Sequence, residues 1–213
     1  MYTFLRAVSE HDRITAFKLR YDVYCTEKKW LDHSLYPDMM EKDTEDKRSS
    51  IFLAFDKAGH AAGTVRLIIN NGDSEPLPIA KHPSINGDIS TRRCVEISRL
   101  SILEKDRKGN ISIGLFRMLF IHVIRDFGNF EYLYFSVEKR FLDVLNRLGF
   151  EFVPIAPGAM WYGDFLIPSM QEIKTIDSGM KRNNPKFYDW IWTDNPGNVN
   201  KNESLISFIK TER

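Results

Sequence analysis

The amino-acid sequence predicts a mixed α/β (α+β) fold in a single domain that spans residues 1–213. Strand-like runs and segments with helical apolar spacing follow one another in the order strand, helix, loop, three strands, helix, strand, helix and two strands. The chain has 213 residues, of which 43% are hydrophobic, and this is enough to bury one sizeable core. The sequence contains no visible internal repeat, so a repeat architecture is not expected.

The first predicted elements are a strand over residues 2–6 and a helix that follows Ser9. The Ser9 hydroxyl is a suitable helix cap, and Ile14 and Phe17 begin an apolar series at helical spacing. Residues 30–48 are polar, acid-rich and interrupted by a proline. We therefore interpret them as a loop with at most a short helix.

Two strands are predicted next, over residues 50–55 and 63–70, because the DKAGH sequence between them has the turn chemistry of an antiparallel hairpin. The segment 71–93 contains several Pro and Gly residues and is unusually long for a connection inside a compact domain. Two interpretations stay open for it: an ordered lid over a site, or a mobile insertion.

The run CVEISRLSIL, which begins at Cys94, is predicted to be the central strand. The segment after it places Ile113, Phe116 and Phe120 on one helical face, which predicts a strongly apolar packing helix. The remaining elements are a strand, a helix, two strands around a Pro-Gly turn and mixed helical segments, over residues 132–137, 138–150, 150–155, 159–167 and beyond 168.

Composition excludes several classes of protein. The formal net charge is +1, so no overall field attracts nucleic acid or anionic lipid. Two cysteines, Cys25 and Cys94, are typical of a reduced compartment, so we expect a cytoplasmic location. We expect no signal peptide and no membrane span, because no window approaches the roughly 20 apolar residues that a span needs. The five histidines lack metal-ligand spacing, and no metal is expected.

Four short motifs occur in an order and spacing that carry a resemblance. They are an arginine followed by two aromatic residues, an E-x-D-x-x-D, an arginine in a predicted strand and an E-x-x-R in the central strand. Their residues are Arg20, Tyr24, Trp30, Glu41, Asp43, Asp46, Arg66, Glu96 and Arg99. In this pattern the chain resembles the GNAT superfamily of N-acyltransferases, and within it the acyl-homoserine-lactone (autoinducer) synthases and the N-acyl amino acid synthases.

The resemblance covers about residues 1–167 and leaves residues 168–213 as a C-terminal extension. It implies a central mixed, mostly antiparallel sheet, splayed between its fourth and fifth strands, with helices on both faces. It also implies an enzyme, an acyltransferase that joins an acyl group to a small amine.

We expect Glu96 and Arg99 to act in catalysis. Amide formation from a thioester needs a neutral amine, so a base must accept a proton. Burial beside Val95 and Ile97 makes the Glu96 carboxylate a better proton acceptor, whereas a neighbouring Arg99 favours its charged form. Residues three apart in a strand point to opposite faces unless a β-bulge intervenes. The alternative is a buried ion pair that only fixes strand register.

A further set of residues is expected to bind substrate. They are Arg20, Tyr24, Trp30, Asp43, Asp46, Arg66, Leu100, Ser101 and Phe135. The resemblance implies that backbone N–H groups near Leu100 and Ser101 form an oxyanion hole for the thioester carbonyl. The alternative for the four charged residues is purely structural pairing. For Trp30 it is ordinary packing, and for Phe135 a place in the core instead of along an acyl tunnel.

The acyl donor is inferred from a turn. The sequence EKDRKGNISIG lacks the Q/R-x-x-G-x-G/A spacing with which coenzyme A dependent relatives cradle a pyrophosphate at a helix N-terminus. Acyl carrier proteins are acidic, and positive charge here would steer them. The basic residues are Lys105, Arg107, Lys108, Lys139 and Arg140. We expect no bound cofactor and the acyl-phosphopantetheine of acyl carrier protein as donor, with acyl-coenzyme A less favoured; the alternative is an ordinary solvated turn.

The acceptor is inferred from the residues that follow Arg66. They read LIINNGD, where the lactone synthases usually continue with a Leu-Pro-Thr type sequence. This departure argues against S-adenosylmethionine and favours an amino acid or similar small amine. We predict a synthase of N-acyl amino acids, or of the N-acyl-homoserine lactones of quorum sensing. Two alternatives stay open: a non-catalytic module that binds a lipidated carrier or fatty acid, and an acetyl-coenzyme A dependent N-acetyltransferase.

Overall fold

The computed structural model describes residues 2–72, 75–87, 89–107, 110–192 and 198–199, and it confirms the mixed α/β class. The helices and strands are β1 (Tyr2–Arg6), α1 (Glu10–Tyr21), β2 (Ser49–Phe55), β3 (Ala61–Asn70), β4 (Cys94–Ile102), α2 (Ile111–Asp126), β5 (Tyr132–Val137), α3 (Lys139–Arg147), β6 (Val153–Pro154), β7 (Ala159–Trp161), β8 (Asp164–Glu172), α4 (Ile173–Asn183), α5 (Pro185–Ile191) and β9 (Asn198–Val199).

The strands pair in the order β6-β8-β5-β4-β3-β2-β1-β9, and β7 pairs with β8 outside this path. The β1–β2, β5–β8, β6–β8 and β7–β8 pairs are antiparallel, whereas β4 and β5 are parallel. The parallel ladder joins Val95–Ile97 to Leu133–Phe135, but β5 stays paired with β8 as far as Val137. The β4 ladder therefore ends two residues before the β8 ladder does, in the region of the predicted splay.

The chain divides into two compact units, and the division falls within β3, β4 and α2. Of the described residues, the first unit contains 2–67, 99–107, 110–120 and 198–199, and the second contains 68–72, 75–87, 89–98 and 121–192. Glu96 and Arg99 both lie on β4 but belong to different units, so each is described with its own unit. The predicted single domain with a core to residue 167 stays a prediction.

The first unit is built around the packing of α1 on the β1–β2 pair. Ala16 and Phe17 of α1 are buried against Ile51 and Leu53 of β2. Ser9 caps α1 as predicted: its hydroxyl accepts a hydrogen bond from the Asp12 N–H at 3.1 Å, and the Asp12 carboxylate accepts one from the Ser9 N–H at 3.2 Å. The start of α1, and hence the direction in which it leaves β1, is fixed by this reciprocal cap.

The second unit contains the long segment between β3 and β4, whose described part is packed onto the sheet. It forms a 3₁₀ turn at Pro78–Lys81, and the side chains of Leu77 and Ile79 join the buried cluster of Ile68, Cys94 and Tyr134. The Tyr134 hydroxyl also donates a hydrogen bond to the Ser90 carbonyl at 2.9 Å. The described part of this segment is therefore packed on the sheet, and the predicted lid over a site stays a prediction.

Three predictions between residues 150 and 172 are corrected. The strand expected over 150–155 is only β6, and residues 159–167 are a β7–β8 hairpin and not one strand. Tyr162 and Gly163 form its turn with φ of 51° and 84°, and an aromatic residue in this left-handed conformation gives little local sequence signal. β8 continues through Pro168, so the C-terminal helices begin only at Ile173. Pro168 supplies its carbonyl, which accepts from the Ile155 N–H at 2.9 Å.

A close approach of α2 to β1 gives a test of the first unit. Gly114 of α2 lies against the ring of Phe4, and a Cβ at this position would overlap the ring. Gly114→Ala is therefore expected to lower the free energy of unfolding by about 1–3 kcal/mol, measured by urea denaturation. In the Phe4→Leu background, Gly114→Ala should lower the free energy of unfolding by less than it does in the wild type. Full stability of the single variant would contradict this packing.

Candidate functional site

Arginine and carboxylate side chains of the first unit form one connected network of ion pairs. The carboxylates come from the E-x-D-x-x-D segment, and the arginines come from α1, β3 and β4. The members are Arg20, Arg66, Arg99, Glu41, Asp43 and Asp46. Three positive and three negative charges balance, and buried charges are tolerated only when they are paired in this way.

The acidic segment orients its own carboxylates through local hydrogen bonds. Asp43 caps the 3₁₀ turn Thr44–Arg48: its carboxylate accepts from the Glu45 N–H at 2.9 Å, while its own N–H donates to Asp46 Oδ2 at 2.9 Å. The Glu41 N–H donates to the Phe17 carbonyl of α1 at 3.0 Å. The D-x-x-D spacing is thus a capping box that fixes two carboxylates relative to each other.

Arg20 is the fully buried centre of the network. Its Nη1 and Nη2 donate to the two carboxylate oxygens of Asp46 at 2.9 Å and 2.7 Å, in bidentate geometry. Its Nε lies 2.7 Å from Glu41 Oε2 and donates to the Glu41 carbonyl at 3.0 Å. This one side chain therefore ties α1 to both ends of the acidic segment.

Arg66 of β3 extends the network to Asp43. Its Nη1 and Nη2 lie 2.5 Å and 3.1 Å from the two Asp43 carboxylate oxygens, and Nη1 lies 3.0 Å from Asp46 Oδ1. Asp46 thus bridges Arg20 and Arg66. Burial alone would raise the pKa of Asp46, but hydrogen bonds and charge from the two guanidinium groups hold it well below its ordinary value of 3.8.

Arg99 of β4 has a left-handed backbone, with φ of 52°. This conformation inside a strand is typical of a bulge and breaks the alternation of side chains at this position. Its Nε donates to Glu41 Oε1 at 3.0 Å, and its Nη2 lies 3.2 Å from Asp43 Oδ2. Burial would lower the pKa of Arg99, but the interactions with Glu41, Tyr24 and Asp43 outweigh this effect and raise the pKa above its ordinary value. The guanidinium therefore stays charged. Strained backbone of this kind is concentrated at functional sites.

Two aromatic residues lie beside Arg99 at the less buried end of the network. Tyr24 stacks on Trp30 with ring centroids 5.8 Å apart, and the Arg99 guanidinium carbon lies 5.8 Å from the Tyr24 ring centroid. A π-helical segment, Asp22–Glu27, continues α1 and holds Tyr24. The Asp43 side chain is 31% exposed and that of Arg99 12%, whereas that of Arg20 is 0% exposed. Asp43 and Arg99 are therefore the most exposed members of the network.

Glu41 had no assigned role in the sequence-based prediction, although the E-x-D-x-x-D motif contains it. In the structure it is buried and pairs with both Arg20 and Arg99. The motif was the signal that could have identified it. The arginines with which Glu41 pairs are set by tertiary contacts, so local sequence spacing does not indicate them.

Glu96 lies in the second unit and is 3% exposed. Its Oε2 accepts a hydrogen bond from the Ile79 N–H at 2.9 Å, a contact that the sequence did not indicate. On β4 and β5, Glu96 is in register with Tyr134, and Ile97 with Phe135. Phe135 is buried and meets the ring of Phe141 edge-on at 6.4 Å.

The other residues predicted to act on the thioester lie on β4 in the first unit. The Leu100 carbonyl accepts from the Tyr24 hydroxyl at 3.4 Å, and the buried Ser101 hydroxyl donates to the Arg99 carbonyl at 3.3 Å. These bonds hold the backbone next to the left-handed residue. The predicted oxyanion hole at Leu100 and Ser101 stays a prediction.

The four described residues of the predicted basic set are exposed and belong to both units. Arg107, in the first, pairs with Glu27, and Lys139, in the second, pairs with Asp143 at 2.8 Å. Within the described part of the chain, Lys105 and Arg140 have no ion-pair partner. Lys105 belongs to the first unit and Arg140 to the second. Lys108 lies outside the described residues.

The described ranges of the chain lack two further features. There, no cluster of three or more His, Cys, Asp or Glu side chains is arranged to hold a metal ion. No helix in those same ranges has the length and apolar content needed to cross a bilayer.

Solved structures that resemble this fold are GNAT-like acyltransferases. The coenzyme A dependent acyl-homoserine lactone synthase BjaI, with SAM and isopentyl-CoA, has 19% identity, a TM-score of 0.67 and 91% coverage of both chains. TofI, in a ternary complex with an inhibitor and MTA, has 15% identity, a TM-score of 0.64 and coverage of 88% of this chain and 96% of its own. FeeM, an N-acyl amino acid synthase from uncultured soil microbes, has 16% identity, a TM-score of 0.61 and coverage of 86% and 97%. These likenesses show the fold.

The family is shown by the sequence itself. The family model of N-acyl amino acid synthase FeeM matches residues 15–157, which is more than half of the chain and includes the whole charge network and Glu96. The chain belongs to the FeeM family of N-acyl amino acid synthases and is an acyltransferase. The predicted resemblance is thus confirmed. Among curated proteins none matches the sequence.

Acid should destabilise the folded state through Asp46. Its pKa is lowered in the folded chain, so its contribution to stability is present above the ordinary value of 3.8 and is lost as the pH falls below it. We expect the free energy of unfolding of the wild type to fall steeply below about pH 4. Asp46→Asn should lose about 3–5 kcal/mol at pH 7 and show a shallower decline in acid, measured by urea denaturation.

The matched control for this variant is Asp143→Asn. Asp143 forms an exposed pair with Lys139, and its loss should change the free energy of unfolding by less than about 1 kcal/mol. Equal effects of the two substitutions would contradict a special role of the buried network.

Proposed function

We propose that this protein transfers a fatty acyl group from the phosphopantetheine thioester of an acyl carrier protein to the amino group of an amino acid or similar small amine. The observation that carries the proposal is the match to the N-acyl amino acid synthase family over residues 15–157. The paired and strained Arg99 supports it, because a left-handed arginine in a strand costs energy and needs a compensating role.

In the proposed reaction the amine nitrogen attacks the thioester carbonyl carbon, a C–N bond forms and the C–S bond breaks. Starting from the ammonium form, the nitrogen loses two protons: one passes through Glu96 to the departing thiolate and the other is released to water, so that the products are an amide, a free thiol and a proton. Backbone N–H groups near Leu100 and Ser101 are proposed to stabilise the carbonyl oxygen as it gains negative charge. The burial of Glu96 supports its role, since a carboxylate shielded from water accepts a proton more readily.

The less buried end of the network is proposed to bind the acceptor. Arg99 can donate a hydrogen bond to the carboxylate of an amino acid, and Asp43 can hold its ammonium group before deprotonation. Tyr24 and Trp30 are proposed to form an aromatic wall next to them. Arg20, Asp46 and Arg66 are buried, and in this scheme they act by fixing Asp43 and Arg99.

An in vitro assay tests the reaction. The purified protein is incubated with acyl carrier protein charged with short or long acyl chains and with a pool that contains amino acids and S-adenosylmethionine. We expect thiol release that depends on an amine, with the amide product identified by mass spectrometry. Absence of thiol release with every donor and every amine would contradict the proposed function, and binding without turnover would favour a non-catalytic acyl-binding module.

Glu96→Gln tests the proposed base. The amide keeps an acceptor oxygen for the Ile79 N–H, so the fold should be retained, but it accepts no proton from the amine. We expect kcat to fall by about 10²–10⁴-fold while binding of acyl carrier protein, measured by calorimetry, is unchanged. Glu131→Gln, at an exposed position of the same unit, is the control and should keep full activity. A Glu96→Gln enzyme with normal kcat would remove Glu96 from the mechanism.

The identity of the donor is tested through Lys105 and Arg140. Their exposed charges support steering of an acidic carrier, which acts chiefly on the rate of association. Lys105→Glu and Arg140→Glu should each lower kcat/KM for acyl carrier protein by about 3–10-fold at low salt, with a smaller effect at high salt. Neither substitution should change kcat/KM for a short acyl-cysteamine thioester as donor. Lys57→Glu, at another exposed position, is the control.

Coenzyme A is the second candidate donor, because the similarly folded BjaI is coenzyme A dependent. Saturation with acyl-coenzyme A at lower concentration than with acyl carrier protein would overturn our choice of donor.

We further propose a cytoplasmic location, where acyl carrier proteins occur; the free thiols of Cys25 and Cys94 agree with a reduced compartment. A role in quorum sensing would follow only if the product is a homoserine lactone.

A further inference from the structure

A backbone amide outside the predicted site contacts the proposed base. The Ile79 N–H lies in the first part of the 3₁₀ turn Pro78–Lys81 and donates to Glu96 Oε2 at 2.9 Å. N–H groups at the start of a helical turn have no partner within the turn, so this one is available to a carboxylate. Ile79 is 0% exposed and Glu96 3%, so water competes little for this hydrogen bond.

The turn itself is held in place by a second set of polar contacts. The Thr91 hydroxyl accepts hydrogen bonds from the Leu77 N–H at 3.1 Å and from the Asn70 side-chain amide at 3.4 Å. The same Asn70 amide donates to the Glu75 carbonyl at 3.2 Å. Asn70 and Thr91 are both buried, and they lie at the two ends of the segment that contains the turn. A shift of the turn would therefore break buried hydrogen bonds, each of which is costly to leave unsatisfied.

We infer that the Ile79 N–H is a positioning group for the acyl-transfer reaction, and that Thr91 is a positioning residue that acts through the turn. This inference rests on the proposed function, in which Glu96 is the base. The hydrogen bond fixes the plane of the carboxylate. It also favours the charged form, which is the form that can accept a proton, against the opposing effect of burial. Because the donor is a backbone group on a packed turn, no reorganisation is needed when the amine arrives.

Ile79→Pro tests the inference, because proline lacks the N–H that donates to Glu96. Ile79→Ala is the matched control: it removes buried side-chain atoms but keeps the N–H. We expect the acidic limb of the kcat/KM pH profile to move to higher pH by about one unit in Ile79→Pro. We also expect kcat to fall about tenfold with the KM of the amine nearly unchanged. Ile79→Ala should keep the wild-type pH profile.

A second substitution keeps the test decisive if Ile79→Pro does not fold. Replacing Ile79 by its α-hydroxy acid turns the amide into an ester and removes only the N–H, with the side chain retained. Folding of each variant is monitored by circular dichroism and thermal unfolding. An ester variant with the wild-type pH profile and kcat would overturn the inference.

Thr91 gives an independent arm of the experiment. Thr91→Val keeps the shape but leaves the Leu77 N–H without its acceptor, whereas Thr91→Ser keeps the hydroxyl. We expect Thr91→Val to shift the pH profile in the same direction as Ile79→Pro, by less, and Thr91→Ser to restore it. A purely structural role would lower stability in Thr91→Val without moving the profile, and that result would remove Thr91 from the inference.

The two levels of hypothesis fail in different ways. If Glu96→Gln retains normal kcat, the proposed base is wrong and the inference is overturned together with it. If Glu96→Gln loses activity but the ester at position 79 leaves the pH profile in place, the proposed function stands and only the positioning role is overturned.

Discussion

Ion pairing of three arginine side chains, two of them buried and one partly exposed, is the constraint on which the first unit depends. Arg20, Arg66 and Arg99 come from three separate elements, and each finds its carboxylate partners in one short acidic segment. Removal of a single partner would leave a charge buried and uncompensated, at a cost of about 3–5 kcal/mol. The segment at Glu41–Asp46 must therefore lie against α1, β3 and β4, and its local capping box prepares it for that position.

Stability alone is a weak reason for such a network, because well-packed apolar residues often stabilise a fold as much as buried ion pairs do. The geometry suggests a functional reason. The network is fully buried at Arg20 and partly exposed at Asp43 and Arg99, and the exposed end holds a left-handed arginine beside two stacked aromatic rings. Buried pairs of this kind fix the orientation of the partly exposed ones, as the proposed acceptor site requires. Glu96, in the second unit, is held differently, by a hydrogen bond from the backbone of a packed turn.

The sequence predicted the elements whose signals are local. Alternating and helical apolar spacing located β4, β5 and α2, and the cap at Ser9 located the start of α1. The site could be outlined only through the resemblance, since ion pairing between residues tens of positions apart leaves no periodicity. The ion pairs of Glu41 and the hydrogen bond from the Ile79 N–H to Glu96 were missed for this reason. The Tyr162–Gly163 turn was missed for another, because nothing in its neighbours favours a left-handed tyrosine.

The central claim is that this chain makes amides from acyl thioesters and free amines with Glu96 as the base. Untargeted mass spectrometry of lipids extracted from cells that express the wild type or Glu96→Gln tests it most directly. The account predicts an N-acylated small molecule whose amide nitrogen comes from an amino acid. This molecule should accumulate with the wild type and be nearly absent with the variant. Lipid profiles without any such species in the wild type, or with equal amounts in both, would contradict it.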